Sequence, residues 1–194
     1  NRQLTRAHGQ VTEALERQMA TSEILRVISS SPTDVQPVFN AIVESATRLC
    51  GARVGHLFRF DGELLYLVAG TSTPAYDDLV QRLYPMRPSR GQVSGRTVLS
   101  RTVVQIPDVL TDPEYRLDVA VAGEWRSRLG VPLLRDGSPI GVIVIMRTAP
   151  GLFAEGHIEL LKTFAEQAVI AIENVRLFKE LEARTTDLTQ SVGE

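Results

Sequence analysis

Apolar and polar positions divide the chain into a polar helix, a globular middle and a second long helix. Residues 1–30 contain no proline and only Gly9. Leu4, Val11, Gln18 and Leu25 recur every seven residues, with Ala7, Ala14, Thr21 and Ile28 in the intervening column. This is the a/d pattern of a coiled coil, diluted by Gln18 and Thr21. At 1.5 Å per residue such a helix reaches roughly 40–45 Å, and with so little to fold against it requires a partner. Ser29-Ser30-Ser31-Pro32 ends it. Thr33 or Asp34 then caps a second helix bearing Val35, Val38, Phe39, Ile42, Val43, Ala46 and Leu49. Gly51 closes this helix, and Pro37 falls in its first turn. Its apolar face is wide enough to cover a sheet.

Two hairpins carry Asp-Gly at their tips. Arg53–Phe60 and Glu63–Gly70 flank Asp61-Gly62; Ser127–Arg135 and Ser138–Arg147 flank Asp136-Gly137. Asp-Gly between apolar runs predicts a type I′ turn, which needs positive φ at both central residues. A short strand, Val103–Ile106, ends at Pro107-Asp108. The sheet is therefore largely antiparallel, with helices packed on it. Two irregular stretches interrupt it: Thr71–Arg90, with a short helix around Tyr76–Leu83, and Leu110–Trp125, which includes the small-residue run Val119–Gly123. Loops of this length in a small domain serve as binding loops or lids.

From Glu155 to about Val192 the pattern is helical throughout. Ile158, Leu161, Ala165, Ala168, Ile172 and Val175 form one apolar face, and after a phase slip Phe178, Leu181, Thr185, Leu188 and Val192 resume it. A three-residue step of this kind is a stammer, a candidate two-state element in a coiled coil. The first half should pack on the sheet and the polar second half should project. A weak match between the two ends, Leu4 with Leu181 and Val11 with Leu188, suggests a piece of an array of similar modules.

The 194 residues suggest one domain plus extra segments, divided at 1–30, 31–175 and 176–194. A net charge of −2 offers nothing to a phosphate backbone, so no nucleic-acid partner is expected. The apolar runs are too short for a membrane span, and the polar start lacks a signal peptide; the expected setting is cytoplasmic, without direct membrane contact. One cysteine and three dispersed histidines argue against a disulfide framework or a metal cage. Cys50 reads as a small buried hydrophobe and His56, alternating with Val54, Phe58 and Phe60, as a core or pocket-wall histidine. No P-loop, nucleophile elbow or zinc-protease motif is present, and the chain is expected not to be an enzyme.

Three ordered motifs resemble the GAF family. They are Ile106-Pro107-Asp108-Val109, then Arg126–Leu133 leading into Gly137–Val142, and finally Phe164–Asn174. The flanking helices resemble those of multi-domain bacterial sensor histidine kinases and nucleotide cyclases. The resemblance implies an α+β fold: an antiparallel sheet of about six strands with helices on both faces, a pocket over one face, and long terminal coiled-coil helices. Where cyclic-nucleotide-binding members carry an Asn-Lys, Phe and Asp-Glu set, this chain has Met146-Arg147, Phe153 and His157-Ile158, which speaks against that ligand. Reduction of free methionine sulfoxide, which needs several cysteines, is expected to be absent.

The resulting expectation is a sensory and dimerisation module of a signalling protein, of the two-component histidine kinase kind. The alternatives are a nucleotide, tetrapyrrole or aromatic-acid receptor domain, and a ligand-free spacer. The candidate ligand site places Phe58 and Phe60 as wall, Met86, Tyr115 and Trp125 as lid, and Asp108 and Arg126 as polar orienters. No cofactor is named. The candidate homodimer interface is Leu4, Val11, Leu25 and Ile28 with Ile172, Val175, Phe178, Leu181 and Leu188, and neighbouring domains of the parent chain are the other partners.

Overall fold

The computed structural model describes residues 1–71, 73–118 and 124–192. Along the chain lie α1 (Arg2–Ser30), α2 (Gln36–Leu49), β1 (Val54–Phe60), β2 (Leu65–Thr71), α3 (Pro74–Leu83), α4 (Val93–Ser100), β3 (Val104–Ile106), β4 (Ser127–Arg135), β5 (Ser138–Arg147) and α5 (Glu155–Val192). The strands form one antiparallel sheet in the order β2-β1-β5-β4-β3. It has five strands among the described residues, where about six were expected.

The two Asp-Gly tips behave differently. At β4–β5, Arg135 pairs with Ser138 across a two-residue turn, with Asp136 at φ 50° and Gly137 at φ 78°. That is the expected type I′ geometry. At β1–β2 the last pair is Phe60 with Leu65, so the connection has four residues. Here Asp61 Oδ1 accepts from the amides of Glu63 (2.9 Å) and Leu64 (2.7 Å), and this local side-chain turn replaces the tighter one. In α2, Val35 is the N-cap residue, and Asp34 instead accepts from the Gln36 amide at 2.9 Å.

Strand alternation sends side chains to two separate cores. Leu57, Leu129, Val131, Leu133, Ile143 and Ile145 face α2, α5 and the last turns of α1, meeting Ile24, Phe39, Ile42, Leu161 and Phe164. Val54, Phe58, Leu65, Val142, Val144 and Met146 face α3, α4 and the loop that follows β3. Cys50 lies in the first core, where burial pushes its thiol up to about 12.

Each terminal helix packs on the domain over only part of its length. In α1, side chains 1–16 are exposed and burial begins at Ala20, Ile24 and Ile28. The domain takes one flank of the helix, so Ile28 belongs to its own core rather than to a dimer surface. Leu4, Val11, Leu15, Met19 and Leu25 lie on the opposite flank and remain exposed, which re-phases the expected heptad. Gln167 of α5 donates to the Thr21 carbonyl at 3.2 Å, and Arg17 packs beside Gly156. Positions on the two helices thus rise together: α1 and α5 run in the same sense, and their exposed arms leave at opposite ends.

The phase slip in α5 has a plain cause. Ile172 packs half-buried on the domain and Val175 is half-buried one turn on, whereas Ile170, Leu177, Leu181 and Leu188 form a second, exposed column that begins before the first ends. Phe178 lies beside it at 36% exposure. The slip marks two overlapping apolar stripes, one packed on the domain and one exposed, in a helix that continues unbroken through the region.

Candidate functional site

Alternation in β1 and β4 brings polar side chains onto the α3–α4 face of the sheet. His56 lies between Val54 and Phe58, and Arg128 lies opposite Met146 of β5 and Ile106 of β3. They are 2% and 3% exposed. Above them α3 contributes Tyr76, Val80 and Leu83, the corner after α3 contributes Tyr84, and the start of α4 contributes Gln92, Val93 and Ser94. These groups enclose a cavity of about 20 Å³, room for about one water molecule.

The cavity wall is aromatic. Tyr76 stacks on His56 (5.9 Å between centroids, planes 5° apart), and Trp125 meets Tyr76 edge-on at 5.7 Å. Phe58 touches both His56 and Tyr84. Tyr84 Oη and Ser94 Oγ share a hydrogen bond at 2.9 Å, Tyr115 Oη donates to Gln92 Oε1 at 3.2 Å, and the Tyr115 ring lies 5.0 Å from the Arg128 guanidinium carbon. Such contacts fix ring orientations without closing the space completely.

The polar atoms that remain are almost all donors. His56 Nε2, Gln92 Nε2, Trp125 Nε1 and Arg128 Nε and Nη2 are buried without a hydrogen-bond partner. Arg128 is in none of the ion pairs among the described residues. Burial, with the nearby Arg128 charge second, holds the His56 imidazole down to about 3, so it is neutral. Burial likewise pushes Tyr84 up to about 12 and raises Tyr115.

Around the cavity, α4 is held in place from two directions. Gly130 of β4 lets it approach closely: a Cβ there would meet Thr97 Oγ1 at 2.2 Å. On its outer side the buried Arg96 forms a bidentate pair with the half-buried Asp112 at 2.7 and 2.8 Å and also donates to the Arg90 carbonyl. The guanidinium holds the Asp112 carboxyl below its ordinary range.

Of the expected ligand residues, Phe58 lines the cavity, and Tyr115 and Trp125 adjoin it in the same cluster. Phe60 packs at the edge of that cluster and is not in the lining. Met86 is tied to Leu65 by backbone hydrogen bonds of 2.8 and 3.1 Å, which makes it an extension of the sheet edge rather than a lid. Asp108 and Arg126 are bidentate partners of each other at 2.5 and 2.8 Å, so in this arrangement neither is free to orient a ligand; the pairing holds the Asp108 carboxyl down to about 2. The run 119–123, placed in a lid by its sequence, lies outside the described residues.

The residues that sequence reasoning missed are Arg128, Gln92, Tyr76 and Tyr84. Arg128 had a legible signal: it is a charge at an inward-facing position of a strand, in phase with Gly130 and Pro132. Gln92, Tyr76 and Tyr84 come from loop and helix segments whose approach to the sheet no local pattern encodes.

The family model for the GAF domain matches residues 32–173. The chain belongs to the GAF domain family. GAF domains are a regulatory and sensory fold of signalling proteins. No curated protein matches the chain in sequence. Among solved structures it is similar to free methionine-R-sulfoxide reductase from Neisseria meningitidis, in complex with its substrate, at TM-score 0.70 and 22% identity over 86% of this chain and 93% of that one. It is also similar to the GAF domain of a phosphoenolpyruvate-protein phosphotransferase from Coxiella burnetii, at TM-score 0.70 and 19% identity over 84% and 96%. The cyanobacteriochrome TePixJ GAF domain matches at TM-score 0.63 and 17% identity over 75% and 92%.

The reductase overturns the expectation that this chain is not an enzyme. The same fold carries catalysis there, so the lack of a familiar motif does not exclude chemistry in a GAF cavity. In this chain Cys50 packs in the core on the far side of the sheet from the cavity. None of the described helices is long and apolar enough to cross a membrane.

Proposed function

We propose that this GAF domain is the sensory and dimerisation module of a multi-domain, cytoplasmic signalling protein of the two-component sensor histidine kinase kind. It takes a small molecule into the α3–α4 cavity and passes the resulting change to neighbouring domains through α1 and α5. The observation that carries the proposal is the placement of the two ends on one sheet. β1, β4 and β5 present one face to the cavity and the other to α2 and α5, so a shift in the cavity floor is felt directly by the exit helix. In interiors packed this tightly a displaced strand moves its neighbours.

The dimer reading is supported by the exposed columns Leu4-Val11-Leu15 on α1 and Leu177-Leu181-Leu188 on α5, which pack on nothing within the domain. A ligand-free spacer is the competing reading, favoured by the small cavity volume, but it leaves the buried donors without a purpose.

Cysteine cross-linking tests the module as a dimer. Cys50 is buried and its thiol is pushed up to about 12, so it stays silent. Leu181→Cys and Leu188→Cys should each oxidise to a covalent dimer under mild conditions, while Lys179→Cys, on another flank of α5, should not. A chain that is monomeric in native mass spectrometry and fails to cross-link would sink the dimer mechanism.

A further inference from the structure

A guanidinium buried without a counter-charge is the least expected feature of this molecule. Arg128 cannot shed its charge as a buried lysine or histidine does, so the cost of removing it from water must be met by an anion. No acidic side chain among the described residues pairs with it. Of the sequence outside them, residues 72 and 119–123 contain no Asp or Glu, and the acidic residue of 193–194, Glu194, follows the exposed arm of α5. The neighbouring polar atoms do not compensate either. Gln92 Oε1 is taken by Tyr115 Oη, and Tyr84 Oη and Ser94 Oγ are taken by each other. The unpartnered side-chain atoms facing this region are nitrogens on His56, Gln92, Trp125 and Arg128. The start of α4 adds first-turn amides with no side-chain cap, a further favourable place for negative charge.

Resting on the receptor reading above, we propose that this cavity recognises a small monocarboxylate with a flat apolar body, its carboxylate taken by Arg128 with Gln92 and His56 as further donors. The forked guanidinium matches a carboxylate through two parallel hydrogen bonds. Charge favours a monoanion over a phosphate dianion: the site holds one fixed positive charge, and its imidazole is neutral. The apolar body lies against Phe58, Tyr76, Val80 and Tyr84, all in the cavity wall. A cavity of about 20 Å³ is too small for a ring as it stands, so entry requires α3 to move outward from the sheet. Tyr76 is the α3 residue that would carry this movement, and Trp125, the only tryptophan of the chain, sits edge-on against it.

Trp125 fluorescence therefore reports filling of the cavity. The purified chain is titrated at constant ionic strength with sodium benzoate, with neutral benzamide and with inorganic phosphate, and the same titrations are run on Arg128→Met. Benzoate is expected to give a saturable change, with benzamide and phosphate each at least about 30-fold weaker. Arg128→Met should weaken benzoate about 100-fold, equivalent to about 2.7 kcal/mol, and should melt at a higher temperature than the parent without ligand, because an unpaired buried charge has gone.

Benzamide or phosphate binding as tightly as benzoate overturns the carboxylate assignment and leaves the receptor reading standing. No saturable change with any of the three, together with a lower melting temperature for Arg128→Met, overturns the assignment and the receptor reading together.

Discussion

The two faces of this sheet are built from the same strands and to opposite specifications. The α2–α5 face is apolar and closed at its centre, with Leu57, Leu129, Ile143, Leu161 and Phe164 fully buried, and the buried polar side chains of its helices, Ser45 and Gln167, are uncharged. The α3–α4 face carries His56, Gln92, Arg128 and a ring of aromatic side chains around a small void. Alternation makes the contrast sharpest in β4, where Arg128 and Leu129 are consecutive and point to opposite faces. On the receptor reading proposed above, stability and ligand recognition belong to different sides of one layer, so a change that suits one side should harm the other.

The largest expected effects lie on the closed face. Leu129→Ala or Phe164→Ala removes a fully buried side chain that its neighbours cannot replace, and each should cost about 3–5 kcal/mol in urea unfolding. The comparison breaks if Leu129→Ala is as mild as a surface substitution. It sharpens if Arg128→Met, one residue away, changes stability in the opposite direction.

An intermediate effect is expected where α4 meets the sheet. Gly130→Ala places a methyl group 2.2 Å from Thr97 Oγ1 and 3.3 Å from Val93 Cγ2, so α4 must lift. Overpacking of this kind costs about 1–3 kcal/mol. Thr97→Ala in the same chain should recover part of that loss, and a double-mutant cycle with a coupling near zero would show that α4 is not seated as described. Because α4 supplies Gln92, Val93 and Ser94 to the cavity, Gly130→Ala should also change the Trp125 emission.

How far the sequence revealed these two faces follows from what each is made of. The closed face was legible because it rests on periodicity: the helical spacing of Val38, Phe39, Ile42 and Val43 and the alternation in β4 and β5 are local signals. The hairpin at Asp136-Gly137 was legible for the same reason, its turn chemistry lying within two residues. The cavity face was read only in part. Phe58, Tyr115 and Trp125 were found as large aromatics in the right segments, but Asp108 and Arg126 were assigned to a ligand when they satisfy each other. Pairing of residues 18 positions apart is set by tertiary approach, as is the removal of Met86 to the sheet edge. In the terminal helices the apolar spacing was visible, but not which column the domain would claim; Ile28 and Ile172 went inward while Leu25 and Leu177 stayed out.

The smallest of the expected effects concerns the clamp that holds the cavity face together, and here the sign with pH is the test. Asp112 accepts both guanidinium nitrogens of Arg96 and, at 3.0 Å, the Glu114 amide, so its carboxyl titrates below its ordinary value of 3.8. A depressed folded-state value means that the unfolded chain binds the proton first as pH falls. The clamp's contribution is then complete above the ordinary carboxylate range and is lost as pH drops through the folded value. Asp112→Asn should cost about 1–2 kcal/mol at pH 7, the modest size reflecting a pair that still touches solvent. Because the variant has no carboxyl to titrate at this position, it should lose less stability than the parent when urea unfolding is repeated at about pH 3. Parallel losses in the two proteins would mean that Arg96 and Asp112 do not act as a pair. The α3–α4 face would then depend on its aromatic packing alone, and the contrast with the closed face would narrow to the few polar atoms inside the cavity.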